Sequence, residues 1–335
     1  VTGTSRGWVV VLGLVALASW AMPFRAVLFY PVLSDPIPLA LLVVVLLVLE
    51  RSTTRRPTWV EVAAISAAVA GGTLCREQIL FVGLAATVHL CTRGPLASAW
   101  RRGVVPTVAS LAAIVVTRIV AEATGTYSPI EEALTWFGRR PFEELVLSCF
   151  LSMGVVALAA VVFAPGVGRW MVEQPYRLAV VALTVGVAWV AGSDAERFLV
   201  SAAPVVFAGV GRVLTHHDWR RIGAKRLAGA AVLAAGVPDL WQGFFAPLRG
   251  DGDPFTLDEQ GLVRSAHAVP LFGVVNAPTF AANVAVFTPP LFARILLLEW
   301  AGAVLVVGVL VRPEVGATLR RAARSVADHV VTPST

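Results

Sequence analysis

The chain contains few charged side chains. Asp, Glu, Lys and Arg make up 14% of its 335 residues, whereas a soluble globular domain is roughly 25% charged. Hydrophobic residues make up 57%, and the mean hydropathy is +0.77. We therefore expect an integral membrane protein and not a soluble globular domain.

Lysine occurs only at Lys225, so arginine supplies most of the net charge of +6. The arginines stand in short clusters between apolar runs and do not follow one face of a helix. This arrangement favours topology signals over a basic surface for nucleic acid. We predict no nucleic-acid partner.

Cysteine is limited to Cys75, Cys91 and Cys149, without a CxxC motif or a Cys/His cluster. Cysteines inside apolar runs behave as small hydrophobic residues, and we predict no redox role for them. The run His216-His217-Asp218 shows no recognisable metal-ligand spacing. It is predicted to be a solvated cytoplasmic loop, and no metal site is predicted.

Long apolar runs dominate the rest of the sequence. A membrane-spanning helix needs about 20 apolar residues, and the runs predict about ten spans. They cover residues 8–24, 36–49, 59–75, 78–92, 103–120, 144–164, 177–192, 197–214, 226–240 and 288–311. The predicted fold is a single all-α transmembrane bundle over residues 1–335.

Alternate loops carry the arginines, and the opposite loops carry most of the acids. The basic loops contain Arg51, Arg55 and Arg56; Arg93, Arg101 and Arg102; Arg169 and Arg177; Arg212, Arg220, Arg221, Lys225 and Arg226; and Arg312, Arg320, Arg321 and Arg324. The positive-inside rule makes these loops cytoplasmic. We therefore expect both termini inside, a cytoplasmic tail over 312–335, and multi-pass placement in the plasma membrane.

Two outer loops have features of their own. Ser128-Pro129-Ile130-Glu131 has the pattern of a capped helix start, and it predicts a short interfacial helix over residues 128–138. A plain connector is the alternative. The segment 241–287 is rich in Pro, Gly and aromatic residues, and we expect a long extracytoplasmic loop over an external cavity.

Arg76 is the most informative candidate for a functional residue. The stretch from Trp59 to Cys91 has to hold two crossings and a turn, so the guanidinium should lie near the outer interface. A lipid-linked phosphate would suit it, because arginine presents a planar, permanently charged fork to phosphate oxygens. The alternative is an ion pair of Arg76 with Glu77 or Asp35.

Three acids on the same side are further candidates. Asp35 is a candidate general base, although Ser34-Asp35-Pro36 is also typical of a helix start. Asp194 and Glu196 could bind a divalent metal, but no histidine lies nearby and Arg197 competes for them. No cofactor is predicted, and a divalent metal is left as an alternative.

Two stretches resemble the GT-C superfamily of membrane glycosyltransferases. Residues 34–85 run from Ser34-Asp35 through a basic turn to Ala70-Gly71-Gly72-Thr73 and Cys75-Arg76-Glu77-Gln78. This is similar to the family's Ser-Asp/Glu helix start and its Thr-Arg-Glu-like turn. Glu196-Arg197-Phe198-Leu199 followed by Pro204 resembles the family's later Arg-Tyr-Leu-x-Pro pattern.

The resemblance implies transfer of a sugar from a polyprenyl-phosphate carrier, outside the membrane, to a glycan, lipid or protein. It places Arg76 and Arg197 near the lipid phosphate, where they would neutralise the leaving group. A carboxylate, with Asp35 as the candidate, would deprotonate the acceptor hydroxyl. Glu77, Asp194 and Glu196 would support the site.

The chain departs from the family near its first residue. The family's catalytic acid lies in a large first outer loop, but the first outer loop here runs only from Arg25 to Pro36. Because the chain also begins with Val1, we expect a loss of N-terminal helices, with a valine start codon as the alternative. A transporter or lipid flippase, and a non-catalytic subunit on a degenerate scaffold, are the competing functions.

Overall fold

The computed structural model describes residues 7, 10, 36–92, 96–120, 142–190, 198–219, 222–233, 255–257, 263–266, 290–312 and 314. Almost all of these residues are helical, which confirms the all-α prediction for this part of the chain. The exceptions are two short antiparallel strands, β1 (Phe255–Leu257) and β2 (Val263–Ala266). Both strands lie within the predicted long loop 241–287.

Most of the helices overlap the predicted apolar runs. They are α1 (Pro36–Arg51), α2 (Trp59–Cys75), α3 (Leu80–Cys91), α4 (Leu96–Val120), α5 (Phe142–Met153), α6 (Val155–Val162), α7 (Ala164–Val172), α8 (Pro175–Val190), α9 (Ala203–His216), α10 (224–233) and α11 (Pro290–Val311). However, α7 lies almost wholly outside these runs, and α4 begins seven residues before its run. Single 3-10 turns, Glu77–Ile79 and Val200–Ala202, precede α3 and α9.

The start of α2 shows how local sequence sets a helix boundary. Thr58 accepts a hydrogen bond from the backbone N–H of Glu61, and the Glu61 carboxylate accepts one from the backbone N–H of Thr58. This capping box satisfies amide groups that the first turn leaves without helical partners. The helix therefore begins at Trp59, where the apolar run begins.

One predicted span is wrong. The run 144–164 was expected to form one helix, but α5 ends at Met153 and α6 begins at Val155. Gly154, between them, has a φ of 51°, a positive value that residues other than glycine rarely adopt. The chain changes direction again after Val162, where α6 and α7 meet at 87°.

Only α4, over Ala99–Val120, is both long and apolar enough to cross a membrane among the described helices. The bent pair α6 and α7 would add a second span if it were counted as one. The shorter apolar helices have 10–17 residues. Length and composition alone therefore give weak support for a membrane, because a core helix of a soluble protein passes the same test.

Polar contacts between helix ends identify which residues lie at each end of the bundle. At the end that we call the arginine end, Glu50 of α1 pairs with Arg177 of α8, and Arg102 of α4 donates to the carbonyl of Pro57. At the opposite end, which we call the Arg76 end, the paired residues are Glu77 with Arg118, Gln78 with Ser201, and Glu143 with Arg294. The first four helices, α1 to α4, therefore run in alternating directions.

The last described helix is fixed at the arginine end. Arg312, directly after α11, donates through Nη1 to the carbonyl of Val162 at 3.1 Å. Its Nε donates to Glu314 at 2.8 Å, and this hydrogen bond lowers the pKa of the Glu314 carboxyl. Phe150 of α5 and Trp300 of α11 belong to one hydrophobic core, where their rings stack with centroids 4.7 Å apart.

Candidate functional site

Arg76 lies in the turn between α2 and α3, as the sequence predicts. Its backbone is extended, with φ −152° and ψ 112°, and its N–H donates to the carbonyl of Gly72 at 2.8 Å. Its own carbonyl accepts a hydrogen bond from Ile79 at 3.0 Å. These bonds hold the backbone of Arg76 between two helices, and its side chain is half-buried.

Gly72 is what makes this turn tight. A Cβ atom at that position would lie 2.9 Å from Cγ2 of Ile79, closer than real Cβ contacts come. Thr73 is fully buried next to it and donates to the carbonyl of Val69 at 2.7 Å. The small residues Ala70-Gly71-Gly72-Thr73 therefore bring the end of α2 against the start of α3.

Glu77, a predicted supporting residue, is exposed and pairs with Arg118 at the end of α4. Their closest atoms, Arg118 Nη2 and Glu77 Oε1, are 2.9 Å apart. The two side chains are 36% and 48% exposed, so solvent screens the pair and its contribution to stability is small. The partner of Glu77 therefore comes from another helix, α4, and is not the adjacent residue Arg76.

Gln78 connects the Arg76 turn to a distant segment. Its Nε2 donates to Oγ of Ser201 at 3.3 Å, across 123 residues of sequence. Ser201 is buried in the 3-10 turn that precedes α9, four positions after Arg197. Oε1 of Gln78 is buried and has no hydrogen-bond partner among the described groups. The turn after α2 and the segment before α9 thus meet at the Arg76 end.

The start of α1 lies beside the same turn. Leu41 Cδ1 is 3.5 Å from the place that a Cβ of Gly71 would occupy. Asp35, which precedes α1 directly, lies outside the described residues, as do Asp194, Glu196 and Arg197. The predicted helix 128–138 and most of the segments 241–287 and 312–335 also lie outside them.

His217 corrects the prediction of a solvated loop. Its ring lies between Phe163 and Trp219, with centroids 5.1 and 4.7 Å away. Its Nε2 is 3.2 Å from the carbonyl of Val311. His217 is therefore part of a half-buried aromatic contact. In the part of the chain that the structure describes, no group of His, Cys, Asp or Glu is arranged to hold a metal ion.

A second polar group, at the arginine end, was missed in the sequence. Nη2 of Arg177 lies 2.8 and 2.9 Å from the two carboxylate oxygens of Glu50, and Nη1 donates to the carbonyl of Trp170 at 2.8 Å. The guanidinium lies 3.9 Å from the centroid of the Trp170 ring. The Tyr176 hydroxyl donates to Glu50 as well. Arg177 is 5% exposed and Glu50 is 11% exposed.

A sequence signal for this group existed. Glu50 stands in the last turn of α1 and Arg177 in the first turns of α8, where each charge is opposite to the one that its helix dipole favours. A charge placed against its dipole has to be stabilised from elsewhere in the fold. The partner itself cannot be read from the sequence.

No family model, curated protein or solved structure matches this chain. Its function has to be inferred from its own residues and contacts.

A Ser/His contact beside the ion pair does not form a catalytic dyad. Oγ of Ser52 is 2.9 Å from Nε2 of His89, and the same hydroxyl donates to the carbonyl of Leu49 at 2.7 Å. Because the hydroxyl proton is already used, Nε2 of His89 has to be the donor to Ser52. Both residues are fully buried, so this contact joins α1 to α3 and does not activate a nucleophile.

A cavity of about 130 Å³ lies next to the ion pair, between α1, α8 and α9. Its wall is mostly apolar, and Glu50, Tyr176 and Arg177 supply the polar part. Pro204 and Val205, which also line it, follow Ser201 by about one helical turn. The cavity therefore lies between the second half of α1 and the start of α9.

Proposed function

We propose that the protein is an integral membrane glycosyltransferase that uses a polyprenyl-phosphate sugar as donor, with Arg76 at the donor phosphate. The observation that carries this proposal is the hydrogen bond between Gln78 and Ser201. It joins the turn that bears Arg76 to the segment that follows Arg197. The turn that bears Arg76 and the start of α9, far apart in the sequence, are thereby brought to the same end of the bundle.

The surface of α4 supports placement in a membrane. Only 22% of its apolar window is buried inside the bundle, so it is not the core helix of a soluble domain. Val108, Val115 and Ile119 are 54%, 56% and 70% exposed. An apolar face of this extent is unusual on a soluble monomer, whereas hydrocarbon would surround it without cost.

The contact between α3 and α4 is also typical of helices in lipid. A Cβ at Gly83 would lie 2.7 Å from Oγ of Ser110, and a Cβ at Gly103 would overlap Sγ of Cys91. Thr87 donates to the carbonyl of Gly103 at 2.6 Å and contacts Thr107 at 2.7 Å. Small residues that allow close backbone approach, together with interhelical hydroxyl bonds, drive helix association in bilayers.

The distribution of charge supports the proposed orientation. The Arg76 end is held by the pairs Glu77–Arg118 and Glu143–Arg294, and the basic loops gather at the other end. With the arginine end in the cytoplasm, Arg76 faces outward. This is the side on which transfer from a polyprenyl-phosphate sugar is proposed.

In the proposed reaction, the bond between the sugar C1 and the phosphate oxygen breaks, and a bond from C1 to an acceptor hydroxyl oxygen forms. The acceptor proton passes to a carboxylate, for which Asp35 is the candidate. Polyprenyl phosphate leaves, and its developing charge is stabilised by Arg76 and Arg197. The proposed supporting residues are Glu77, Asp194 and Glu196, and the acceptor is a glycan, lipid or protein.

Substitution of Arg76 tests the proposal. In membranes that contain the full chain and its native acceptor, we expect Arg76→Ala to abolish transfer from a labelled polyprenyl-phosphate sugar without lowering protein abundance. Arg294→Ala is the control, because it removes a cation from the same end whose ion-pair partner, Glu143, is not a proposed site residue. Unchanged transfer by Arg76→Ala would refute the assignment.

The buried ion pair and its cavity favour a second candidate, a transporter or lipid flippase, because charged groups inside a membrane bundle often mark a transport path. The two candidates differ in their products. A flippase would move a labelled polyprenyl-phosphate lipid across vesicles without breaking its glycosidic bond, and Glu50→Gln would slow that movement. A non-catalytic subunit would do neither.

A further inference from the structure

The arginine end carries a compact basic surface built from two parts of the chain. The end of α1 and the loop that follows it contribute Arg51 and Arg56, and the first turns of α4 contribute Arg101. Nη1 of Arg102 donates to the carbonyl of Pro57 at 2.9 Å and so holds the two parts together. We call Arg51, Arg56 and Arg101, with the neighbouring Trp59 and Trp100, the arginine surface.

No acid in the part of the chain that the structure describes forms an ion pair with the cations of this surface. Among the described residues, the nearby acid Glu61 pairs with Arg55 at 2.9 Å, and Glu50 pairs with Arg177 at 2.8 Å. Arg51, Arg56 and Arg101 are exposed and make no ion pair with an acid in the described ranges. The surface therefore has an uncompensated positive charge.

Exposed tryptophans accompany these arginines. Trp59 is 56% exposed and Trp100 is 62% exposed, and the guanidinium of Arg102 lies 5.1 Å from the centroid of the Trp59 ring. Val60, one residue further along α2, is 78% exposed. An amphipathic indole between free cations and an exposed apolar face is typical of the level of lipid headgroups.

We propose that the arginine surface binds the headgroups of anionic phospholipids in the leaflet that it faces. The anionic headgroup matches the free guanidinium groups, and the exposed side chains of α2 continue the surface into the hydrocarbon. A polyanion in solution would leave Trp59, Val60 and Trp100 in water. The inference rests on the proposed membrane placement, but it does not depend on sugar transfer.

Lipid retention tests the inference. The full chain is reconstituted in vesicles of equal phosphatidylcholine and phosphatidylglycerol, extracted in mild detergent and washed, and the retained lipids are measured by mass spectrometry. We expect the wild type to retain phosphatidylglycerol over phosphatidylcholine. One arginine near a membrane surface contributes about a fivefold preference, so the triple variant Arg51→Gln, Arg56→Gln, Arg101→Gln should return the ratio toward that of the vesicles.

Two control variants test whether the preference belongs to this surface. Arg294→Gln removes a cation that is 69% exposed at the Arg76 end, and it should retain phosphatidylglycerol as the wild type does. Replacement of the three arginines by lysine should keep the preference. Equal retention of both lipids by the wild type, or an unchanged preference in the triple glutamine variant, would overturn the inference.

Further outcomes identify the source of the anion and separate the two proposals. Inorganic phosphate at millimolar concentration should not displace the retained phosphatidylglycerol; displacement would mean a site for free anions and would overturn the lipid assignment. If the chain does not enter vesicles at all, the membrane placement and this inference fail together. If lipid preference is found and Arg76→Ala still transfers sugar normally, only the proposed donor site fails.

Discussion

Glu50 and Arg177 are 127 residues apart in the sequence and form a buried ion pair between α1 and α8, with Nη2 in reach of both carboxylate oxygens. Arg177 also donates to the carbonyl of Trp170, so the pair fixes three helices at the arginine end. The ion pair lies at the opposite end of the bundle from the proposed sugar transfer. The role of the ion pair is therefore to hold the position of α8, and through α8 the segments near Ser201.

Removing one partner of this pair should destabilise the bundle strongly. A buried charge left without its partner costs about 3–5 kcal/mol, so Glu50→Ala and Arg177→Met should each lower the thermal midpoint of the detergent-solubilised protein. The double variant Glu50→Leu, Arg177→Met should be more stable than either single variant, because no charge is left buried. If the three variants unfold at the same temperature, the two side chains do not form a pair.

Gly103 should tolerate no side chain. A Cβ there would overlap Sγ of Cys91 and would lie 3.3 Å from the carbonyl of Thr87, and overpacking of this kind typically costs about 1–3 kcal/mol. We expect Gly103→Ala to lower the thermal midpoint. Gly186→Ala is the control, because nothing lies within 4 Å of a Cβ at that position; alanine should stabilise the helix by about 0.5–1 kcal/mol.

The Gln78–Ser201 hydrogen bond should give non-additive losses of stability in a double-mutant cycle. Ser201→Ala leaves both polar ends of the Gln78 amide without a partner, which costs about 1–3 kcal/mol when the group is buried. Adding Gln78→Met to Ser201→Ala should restore part of the loss, because the amide is then gone. Additive losses, measured by thermal unfolding, would mean that the two side chains do not interact.

The Glu77–Arg118 pair should matter little for stability. Both side chains are substantially exposed, and exposed pairs contribute about 0–1 kcal/mol. Glu77→Gln and Arg118→Gln should therefore shift the thermal midpoint only slightly, and added salt should remove the difference. A large, salt-independent loss would show that the pair is buried against a further element.

Local features of the structure could be predicted with good accuracy. The run 59–75 coincides with α2 (Trp59–Cys75), because a capping box and an apolar run begin at the same place. The turn at Arg76 was also predicted, since two helices within the stretch Trp59 to Cys91 leave room for little else. The break at Gly154 was not, because glycine in an apolar run is compatible with a continuous helix until packing selects a left-handed conformation.

The candidate site could be predicted only in part. Arg76 was found because its position depends on the short spacing between two runs. The partners of its neighbours were not found: Glu77 binds Arg118, for which the sequence suggested Arg76, and Gln78 binds Ser201, for which the sequence suggested no partner. Contacts at a separation of 123 residues depend on which helix faces meet, and no local pattern records that.

The sequence by itself determined the helical class, the boundaries of α1, α2 and α3 to within about two residues, and the grouping of arginines between apolar runs. These properties follow from hydrophobic periodicity, capping and composition, all of which act over a few residues. Only the tertiary structure decided that Glu50 meets Arg177, that Gln78 meets Ser201, and that Arg51, Arg56 and Arg101 share one surface. Such pairings depend on the packing of whole helices, where many weak contacts together select one arrangement.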